Sequence, residues 1–165
     1  MEKIRLRRLQ EKDIDGMLEW MHDPKINCFF RFDAKNMDYE NAYKFVTNDI
    51  EETKHFAIVD EDDEHIGTIS LKNIDFLHRK AEYAISVRGK WHGSGVAKKA
   101  TEILVKYAFE ELKLHKIYLN VLSDNIRAIK FYEKCGFQFE GEFKDDLLLK
   151  GEWKTLKWYA MVNGS

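Results

Sequence analysis

The spacing of apolar and polar residues along this chain predicts a mixture of strands and helices. Short segments that alternate or run continuously apolar are typical of strands, and longer segments with apolar side chains every three or four residues are typical of helices. The strands predicted in this way cover residues 4–8, 55–59, 66–74, 81–87, 116–122, 137–149 and 152–161. The predicted helices cover residues 11–21, 39–48, 96–112 and 125–134.

The connections between these elements complete the predicted architecture. Asp23-Pro24 ends the first helix, because a residue that precedes proline is pushed out of the α region, and residues 27–36 form an aromatic-rich loop. The run DEDDEH at residues 60–65, with five acidic side chains, predicts a solvated hairpin tip, and the last two strands are predicted to pair around Lys150-Gly151. Several antiparallel hairpins with two crossover helices predict an α/β (α+β) fold with one central sheet, in which residues 1–165 form a single domain.

Residues 88–112 stand out because a glycine-bearing loop leads there into a long amphipathic helix. Gly93 and Gly95 lack a Cβ atom, so their backbone can come close to a ligand. The first helical turn, residues 96–99, has amide groups without a partner inside the helix, and together with the helix dipole these favour a phosphate. The alternative is structural, because two glycines before a helix also make a tight turn between a strand and a helix.

A second informative stretch is SDNIRAIKFYEKCGF, residues 123–137. Asn125 opens the helix near the stripe formed by Ala128 and Tyr132, which lie four residues apart and share a face. An asparagine side chain can both donate to and accept from an amide-bearing ligand, and a tyrosine can supply a hydroxyl proton. The structural alternatives are that Asn125 caps the helix and that Tyr132 belongs to the core.

Composition and charge narrow the classes of function. The 165 residues include 44% hydrophobic and 34% charged residues, an ordinary balance for a globular protein. The net charge of −2, with both signs mixed, argues against broad nucleic-acid binding. The charged first residues lack the apolar core of a signal peptide, and no apolar run approaches the ~20 residues that span a membrane. Cys28 and Cys135 are too few for a disulfide framework or a zinc site, so we expect no metal and a cytoplasmic location.

The segments WHGSGVA and DNIRAIKFYEKCGF together resemble the GNAT superfamily of acetyl-CoA-dependent N-acetyltransferases, and the likeness extends over nearly the whole chain. The phosphate loop of that family has Gln or Arg, then Gly three residues later, then Gly or Ala after two more. His92, Gly95 and Ala97 take these positions, and His92 departs from the family pattern. The resemblance implies a GNAT-type mixed, mostly antiparallel central sheet that is splayed in the middle and flanked by helices. It also implies an enzyme that binds acetyl-CoA between residues 81–87 and 116–122.

The same resemblance implies roles for individual residues. Asn125 would bond to the pantetheine amide, and Tyr132 would lie beside the sulfur as the general acid. A backbone N–H near Ile85 or Val87 would stabilise the developing oxyanion. The loop expected to hold the pyrophosphate contains His92, Gly93, Ser94, Gly95, Val96, Ala97 and Lys98.

The attacking amine also needs a base, because a lysine-like amine has a pKa of ~10.4. Glu82 is the candidate, since an acidic residue in a central strand costs too much to bury without a purpose. Glu82 would act through a water molecule or bind the ammonium group, and the structural alternative is a surface glutamate at the start of a strand. His78, His92 and His115 are alternative bases, and Asn120 is expected to line the same cleft.

The acceptor amine is the least closely specified part of the hypothesis. The chain looks like the GNAT branch that contains spermidine, ribosomal-protein and aminosugar-nucleotide acetyltransferases. The aromatic loop at residues 29–32 favours a nucleotide-linked aminosugar, whose base could stack there, although packing is the alternative interpretation of these aromatics. Asp33 and Asp38 make only a thin carboxylate cluster for a polyamine.

Other acceptors and partners stay open at this point. Polyamines and protein N-termini are alternative acceptors, and a non-catalytic acetyl-CoA-binding module is the alternative of another class. We expect a small-molecule amine as the partner and neither nucleic acid nor a membrane, and we leave a homodimer open.

Overall fold

A seven-stranded sheet forms the centre of the molecule, which the computed structural model describes over residues 3–164. Met1, Glu2 and Ser165, at the ends of the predicted domain of residues 1–165, lie outside the described residues. The strands are β1 (Arg5–Arg8), β2 (Lys54–Val59), β3 (His65–Asp75), β4 (Lys80–Val87), β5 (Lys116–Leu122), β6 (Gln138–Leu149) and β7 (Glu152–Val162). They lie side by side in the order β1, β2, β3, β4, β5, β7, β6.

Helices cover both faces of this sheet. Within residues 3–164 the α-helices are α1 (Ile14–His22), α2 (Pro24–Asn27), α3 (Tyr39–Thr47), α4 (Val96–Lys106) and α5 (Ile126–Lys134). Short 3-10 turns lie at Glu11–Asp13, Ala34–Asn36 and Gly89–Trp91, and α4 continues into a π-helical turn at Tyr107–Glu111. In the described part of the chain, no helix is both long and apolar enough to cross a bilayer.

The sheet is antiparallel everywhere except between β4 and β5, and there it splays open. Parallel pairing of β4 with β5 is limited to the first three residues of each strand and ends at Glu82 and Tyr118. Beyond that point β4 stays paired with β3 as far as Val87, while β5 stays paired with β7 as far as Leu122. A gap therefore opens in the middle of the sheet. The predicted α/β (α+β) class and the splayed, mostly antiparallel sheet are confirmed.

Two apolar clusters hold the layers together on opposite faces of the sheet. In the larger cluster, buried residues of β4 and β5 such as Tyr83 and Leu119 pack with Leu104 of α4. In the smaller cluster, Met17 of α1 packs with Val59 of β2. Because side chains alternate along each strand, one sheet binds α4 and α5 on one face and α1 on the other.

The predicted end of the first helix at Asp23-Pro24 is confirmed, because α1 ends at His22 and Asp23 is extended. The structure corrects two other features of the predicted connections. Pro24 begins the short helix α2, and Asp23 caps it by accepting a hydrogen bond from the Lys25 amide at 3.0 Å. Proline at the first helical position after an aspartate is a helix start signal, which the prediction of a stop overlooked. The acidic hairpin tip is not simply solvated, because Asp63 pairs with Arg7 at 2.8 Å and Glu64 pairs with lysine and arginine side chains of the next loop.

Candidate active site

The edge of β4 that borders the gap presents free backbone groups. The Arg88 amide donates to the Ile66 carbonyl at 2.9 Å on β3, and successive amides of an antiparallel strand alternate in direction. The amides of Ile85 and Val87 therefore point away from β3 and toward the gap. Nε2 of His92 donates to the Val87 carbonyl at 2.8 Å, so that carbonyl points the same way. An extended ligand can hydrogen-bond to this edge as an added strand would.

The glycine loop at the top of the gap is shaped to admit a ligand. Gly93 and Gly95 have φ angles of +79° and +88°, a left-handed conformation that side chains with a Cβ rarely adopt. A Cβ atom added to either glycine would meet no atom within 4 Å, so the space beside the loop is open. The first-turn amides of Ala97 and Lys98 find no backbone acceptor within residues 3–164. Open space, free amides and the positive end of α4 together fit a phosphate group.

Two side chains of this loop stabilise its shape. The Ser94 hydroxyl donates to the Trp91 carbonyl at 2.5 Å and accepts from the Val96 amide at 3.4 Å. The His92 ring ties the loop to the end of β4 through its bond to the Val87 carbonyl. The residue that departs from the family pattern thus has a structural role in holding the loop against the strand.

Asn125 lies on the opposite side of the gap as the N-cap of α5. Its Oδ1 accepts from the Ala128 amide at 3.3 Å, and its own amide donates to the Leu122 carbonyl at 3.0 Å. Oδ1 of Asn125 therefore caps α5, which is the structural role that the sequence offered as an alternative to ligand binding. Its Nδ2 group has no acceptor among the described residues and can donate to a ligand carbonyl.

Tyr132 projects from α5 toward β4. Its half-buried ring meets those of Tyr83 and Phe137 edge-on, with ring centroids 6.0 and 6.1 Å apart. Burial raises the pKa of Tyr132 to about 12, while the positive charge of Arg31 acts in the opposite direction. The phenol is protonated at neutral pH, which is the state that a proton donor requires.

A buried pair of hydroxyl groups behind Tyr132 was missed by the sequence patterns. The Tyr83 hydroxyl and the Thr101 Oγ1 lie 2.6 Å apart, and Thr101 donates to the Ala97 carbonyl at 2.8 Å. Because Thr101 has a single hydroxyl proton, Tyr83 is the donor to it. Burial raises the pKa of Tyr83 well above its usual value. The bond from Tyr83 to Thr101 fixes β4 against α4. The one sequence signal for it was a polar residue, Thr101, at a core-facing position of the predicted helix.

Glu82 marks the place where the pairing of β4 with β5 ends. Its carboxylate lies 3.3 Å from Nζ of Lys72 and accepts from Nδ2 of Asn73 at 3.4 Å. The side chain is 20% exposed, so water can reach it at the inner end of the gap. Glu82 is thus available for proton transfer, but its charge is shared with a lysine.

The loop of residues 27–36 brings Arg31 to the same region, a residue that the sequence patterns did not single out. Nη1 of Arg31 donates to Oδ1 of Asn120 on β5, and Nη2 donates to the Asn120 carbonyl at 3.3 Å. Asn120, which was expected to line the cleft, therefore anchors the loop to β5.

The aromatic residues of this loop divide between packing and exposure. Phe30 meets Trp20 of α1 edge-on at 5.7 Å and stacks on Phe32 at 5.2 Å. Phe29 and Phe32 remain exposed. Packing therefore holds the loop in place, while two of its aromatic rings stay accessible to a ligand.

The remaining candidates lie elsewhere. His78 bonds to Asp75 at 2.9 Å in the turn before β4, and His115 precedes β5, so both are at the paired end of the two strands. Burial raises the pKa of the Cys135 thiol, which is half-buried at the end of α5 and is a poor nucleophile. Among residues 3–164, no three His, Cys, Asp or Glu side chains form a group that could hold a metal ion.

One gap in the sheet thus brings together a loop that fits a phosphate, free strand amides, a protonated phenol and a carboxylate. Such a cleft can hold an extended ligand between β4 and β5. It can also give a proton to a leaving group on one side and take one from an amine on the other.

Comparison with known proteins identifies relatives over most of the chain. A family model for the acetyltransferase (GNAT) domain matches residues 3–138. The spermidine N(1)-acetyltransferase of Escherichia coli strain K12 is 33% identical over 152 residues, which cover 92% of this chain and 82% of that protein. The acetyltransferase PseH of Campylobacter jejuni strain 81-176 is 28% identical over 138 residues, which cover 83% of this chain and 84% of that protein.

A solved structure shows the same fold. The spermidine N-acetyltransferase from Vibrio cholerae, crystallised in complex with CoA and spermine, superposes with a TM-score of 0.87 at 25% sequence identity. The match covers 96% of this chain and 95% of that chain.

Proposed function

The chain belongs to the GNAT family of acetyltransferases and is an N-acetyltransferase that uses acetyl-CoA, and from this premise we propose that it acetylates a small-molecule primary amine by direct transfer. The observation that carries the proposal is the gap between β4 and β5, because the loop, the strand edge, Tyr132 and Glu82 all border it. A thioester is already activated, so no enzyme nucleophile is needed. The residues of the chain would bind and orient the two substrates and transfer protons.

Binding of the cofactor is assigned to backbone groups and one side chain. The amides of the loop at residues 93–98 would hold the pyrophosphate at the positive end of α4. The edge amides of Ile85 and Val87 would bond to the pantetheine arm and to the developing oxyanion. Nδ2 of Asn125 would donate to a pantetheine carbonyl, because its Oδ1 is used in capping α5.

Proton transfer is assigned to the two side chains on either side of the gap. Tyr132 would donate its proton to the leaving sulfur, since burial keeps the phenol protonated at neutral pH. Glu82 would take a proton from the attacking amine through a water molecule or hold its ammonium form, in competition with Lys72. The thioester C–S bond and one N–H bond of the amine break, the amide C–N bond forms, and the leaving thiolate takes up the proton from Tyr132 while Glu82 receives the proton of the amine.

The acceptor that the geometry favours is a nucleotide-linked aminosugar. Phe29 and Phe32 offer exposed aromatic surface beside the gap. A polyamine would need free carboxylates, but Asp33 is bound by Asn36 and Asp38 caps α3. Both partners are neutral, so the two carboxylates keep their charge, but part of their hydrogen-bonding capacity is used within the loop.

A polyamine is the second candidate, and the relatives favour it. Two of the similar proteins act on spermidine by name, and one of them is aligned over 92% of this chain. Glu82 would then be the group that meets an ammonium charge.

Release of free thiol from acetyl-CoA tests both candidates. The panel comprises aminosugar nucleotides, the corresponding free aminosugars, spermidine, spermine and N-terminal peptides. Turnover of an aminosugar nucleotide ahead of spermidine supports the proposed acceptor. Efficient turnover of spermidine without turnover of any aminosugar nucleotide refutes it and leaves acetyl transfer intact.

A homodimer is the assembly we propose for the enzyme. The outer hairpin of β6 and β7 exposes Phe139, Phe143 and Trp153 at the edge of the sheet, and such apolar surface is typical of an interface. Light scattering during size-exclusion chromatography decides the point, since a mass near 19.6 kDa means a monomer.

A further inference from the structure

Arg31 reaches over the acceptor side of the gap and is held there by a neutral residue. Its guanidinium bonds to both the side chain and the backbone carbonyl of Asn120. Asn120 lies two residues after Tyr118 on β5, so the two side chains share one face of the sheet. Tyr118 is paired with Glu82 of β4, so Glu82 lies on that face as well. The exposed Arg31 side chain therefore lies over the face where we place the reacting amine.

The charge of Arg31 has no ion-pair partner within the described part of the chain. Arg88, by contrast, bonds to the carboxylates of both Glu19 and Glu64. The charge of Glu82 acts on Arg31, but that carboxylate is paired with a lysine instead. A guanidinium can bind a phosphate or carboxylate with two parallel hydrogen bonds. The neutral oxygens of Asn120 leave Arg31 without such a direct ionic partner, although the charges of Glu82 and Asp146 act on it.

A cavity of about 260 Å³ lies beside Arg31, which is one of the residues that line it. Phe29 and Phe32 line it as an aromatic wall. Three carboxylates also line it: Asp124 and Glu152 are bound by Lys154, and Asp33 accepts from the neutral side-chain amide of Asn36. The cavity thus offers aromatic surface and an arginine that has no ion pair with any of the described carboxylates around it.

We propose that Arg31 is a specificity-determining residue that binds a phosphate group of the acceptor and selects against polycationic amines. This inference rests on the proposed function, because it assumes that the acceptor amine enters on the face that carries Glu82. The phosphate would replace or join Asn120 as the partner of the guanidinium. A polyamine would instead bring its ammonium groups next to a fixed positive charge.

A purely electrostatic role in catalysis makes a different prediction. The charge of Arg31 also favours the ionised form of Tyr132. If that were its function, losing the charge would lower kcat equally for every acceptor. In the proposed role, losing the charge weakens phosphate-bearing acceptors, mainly through KM, and does not weaken a neutral or polycationic acceptor.

The test in turnover uses acceptors that share one amine. Glucosamine and UDP-glucosamine present the same amino group with and without a diphosphate, and spermidine is the polycation. Arg31→Gln is expected to lower the ratio of kcat/KM for UDP-glucosamine to that for glucosamine by roughly tenfold or more, the scale of a lost charge-assisted hydrogen bond. Arg31→Glu is expected to raise kcat/KM for spermidine. Arg79→Gln removes the same charge from the exposed turn before β4 and should leave the ratio unchanged. An unchanged ratio in Arg31→Gln overturns the proposal.

A binding measurement decides the point independently of turnover. Titration with UDP and with uridine is carried out in saturating CoA, so that the glycine loop is filled. The parent and Arg79→Gln should bind UDP more tightly than uridine, and Arg31→Gln should lose most of that difference. Equal affinity of the parent for UDP and uridine refutes the role of Arg31. Absence of thiol release with every amine refutes the proposed function instead, whatever the titration shows.

Discussion

Replacing Gly95 by tryptophan tests whether the glycine loop is the cofactor site. A side chain at this position points into open space, because a Cβ atom there meets nothing within 4 Å. An indole would therefore fill the volume next to the first-turn amides of α4 without disturbing the core. The expected result is a loss of CoA affinity of more than tenfold.

The magnitude follows from the backbone and from the lost contacts. Any residue with a Cβ at φ +88° pays about 1–2 kcal/mol of folding free energy. For a chain of 165 residues this lowers Tm by about 2–8 °C. Loss of a single hydrogen bond to a charged phosphate costs about 1.5–3 kcal/mol of binding free energy, which is roughly tenfold or more in Kd.

Gly151 provides a matched control for the strain. It has φ +79° at the tip of the outer hairpin, and a Cβ there also meets nothing within 4 Å. Calorimetric titration with CoA should show weakened binding by Gly95→Trp and parental binding by Gly151→Trp, while both variants lose similar stability. Parental CoA affinity in a folded Gly95→Trp protein would refute the assignment of the loop.

Two further variants probe the acceptor side of the gap and a half-buried histidine on β2. Glu82→Gln should lower kcat/KM for the amine by roughly 10²–10⁴-fold with little change in CoA affinity, and undiminished thiol release would contradict its role in proton transfer. Burial lowers the pKa of His55 to about 4, so between its unfolded pKa of 6.5 and that value only the unfolded chain takes up the proton, and stability falls as the pH falls. This one group lowers the free energy of unfolding by up to about 3 kcal/mol between pH 6.5 and 4. Urea unfolding across this pH range should show a smaller loss in His55→Gln than in the parent. Equal pH dependence of the two proteins would contradict the assignment.

The strand and helix pattern could be predicted because each element has a local cause. Asn125 and Gly136 mark the two ends of α5 as capping residue and positive-φ glycine, and the outer hairpin turns at Lys150 and Gly151, which both have positive φ. The alternation along a strand, by which Ile85 and Val87 point in the same direction, is likewise a local property. Such signals depend on a few neighbouring residues, so a sequence pattern contains them.

Tertiary partners could not be predicted in the same way. Arg31 binds Asn120, which is 89 positions away in the sequence, and no local pattern indicates that pairing. The bond from Tyr83 to Thr101 depends on how α4 docks on β4. The helix α2 was overlooked for a different reason, since proline both ends one helix and starts the next. Local patterns therefore indicate the glycine loop and the strand edge, whose role in cofactor binding stays a prediction, and they indicate less of the acceptor side.

Removing the Tyr132 hydroxyl tests most directly the central claim that Tyr132 is the proton donor in the cleft. Tyr132→Phe keeps the ring that packs against Tyr83 and Phe137, so the fold and CoA affinity should remain parental. Tyr107→Phe removes a hydroxyl from a half-buried tyrosine that packs on Phe56, away from the gap, and serves as the control. With saturating acetyl-CoA and an accepted amine, Tyr132→Phe should lower kcat by roughly 10²–10⁴-fold, and Tyr107→Phe should leave it unchanged. Parental kcat in Tyr132→Phe would contradict the assignment of the proton donor to this cleft.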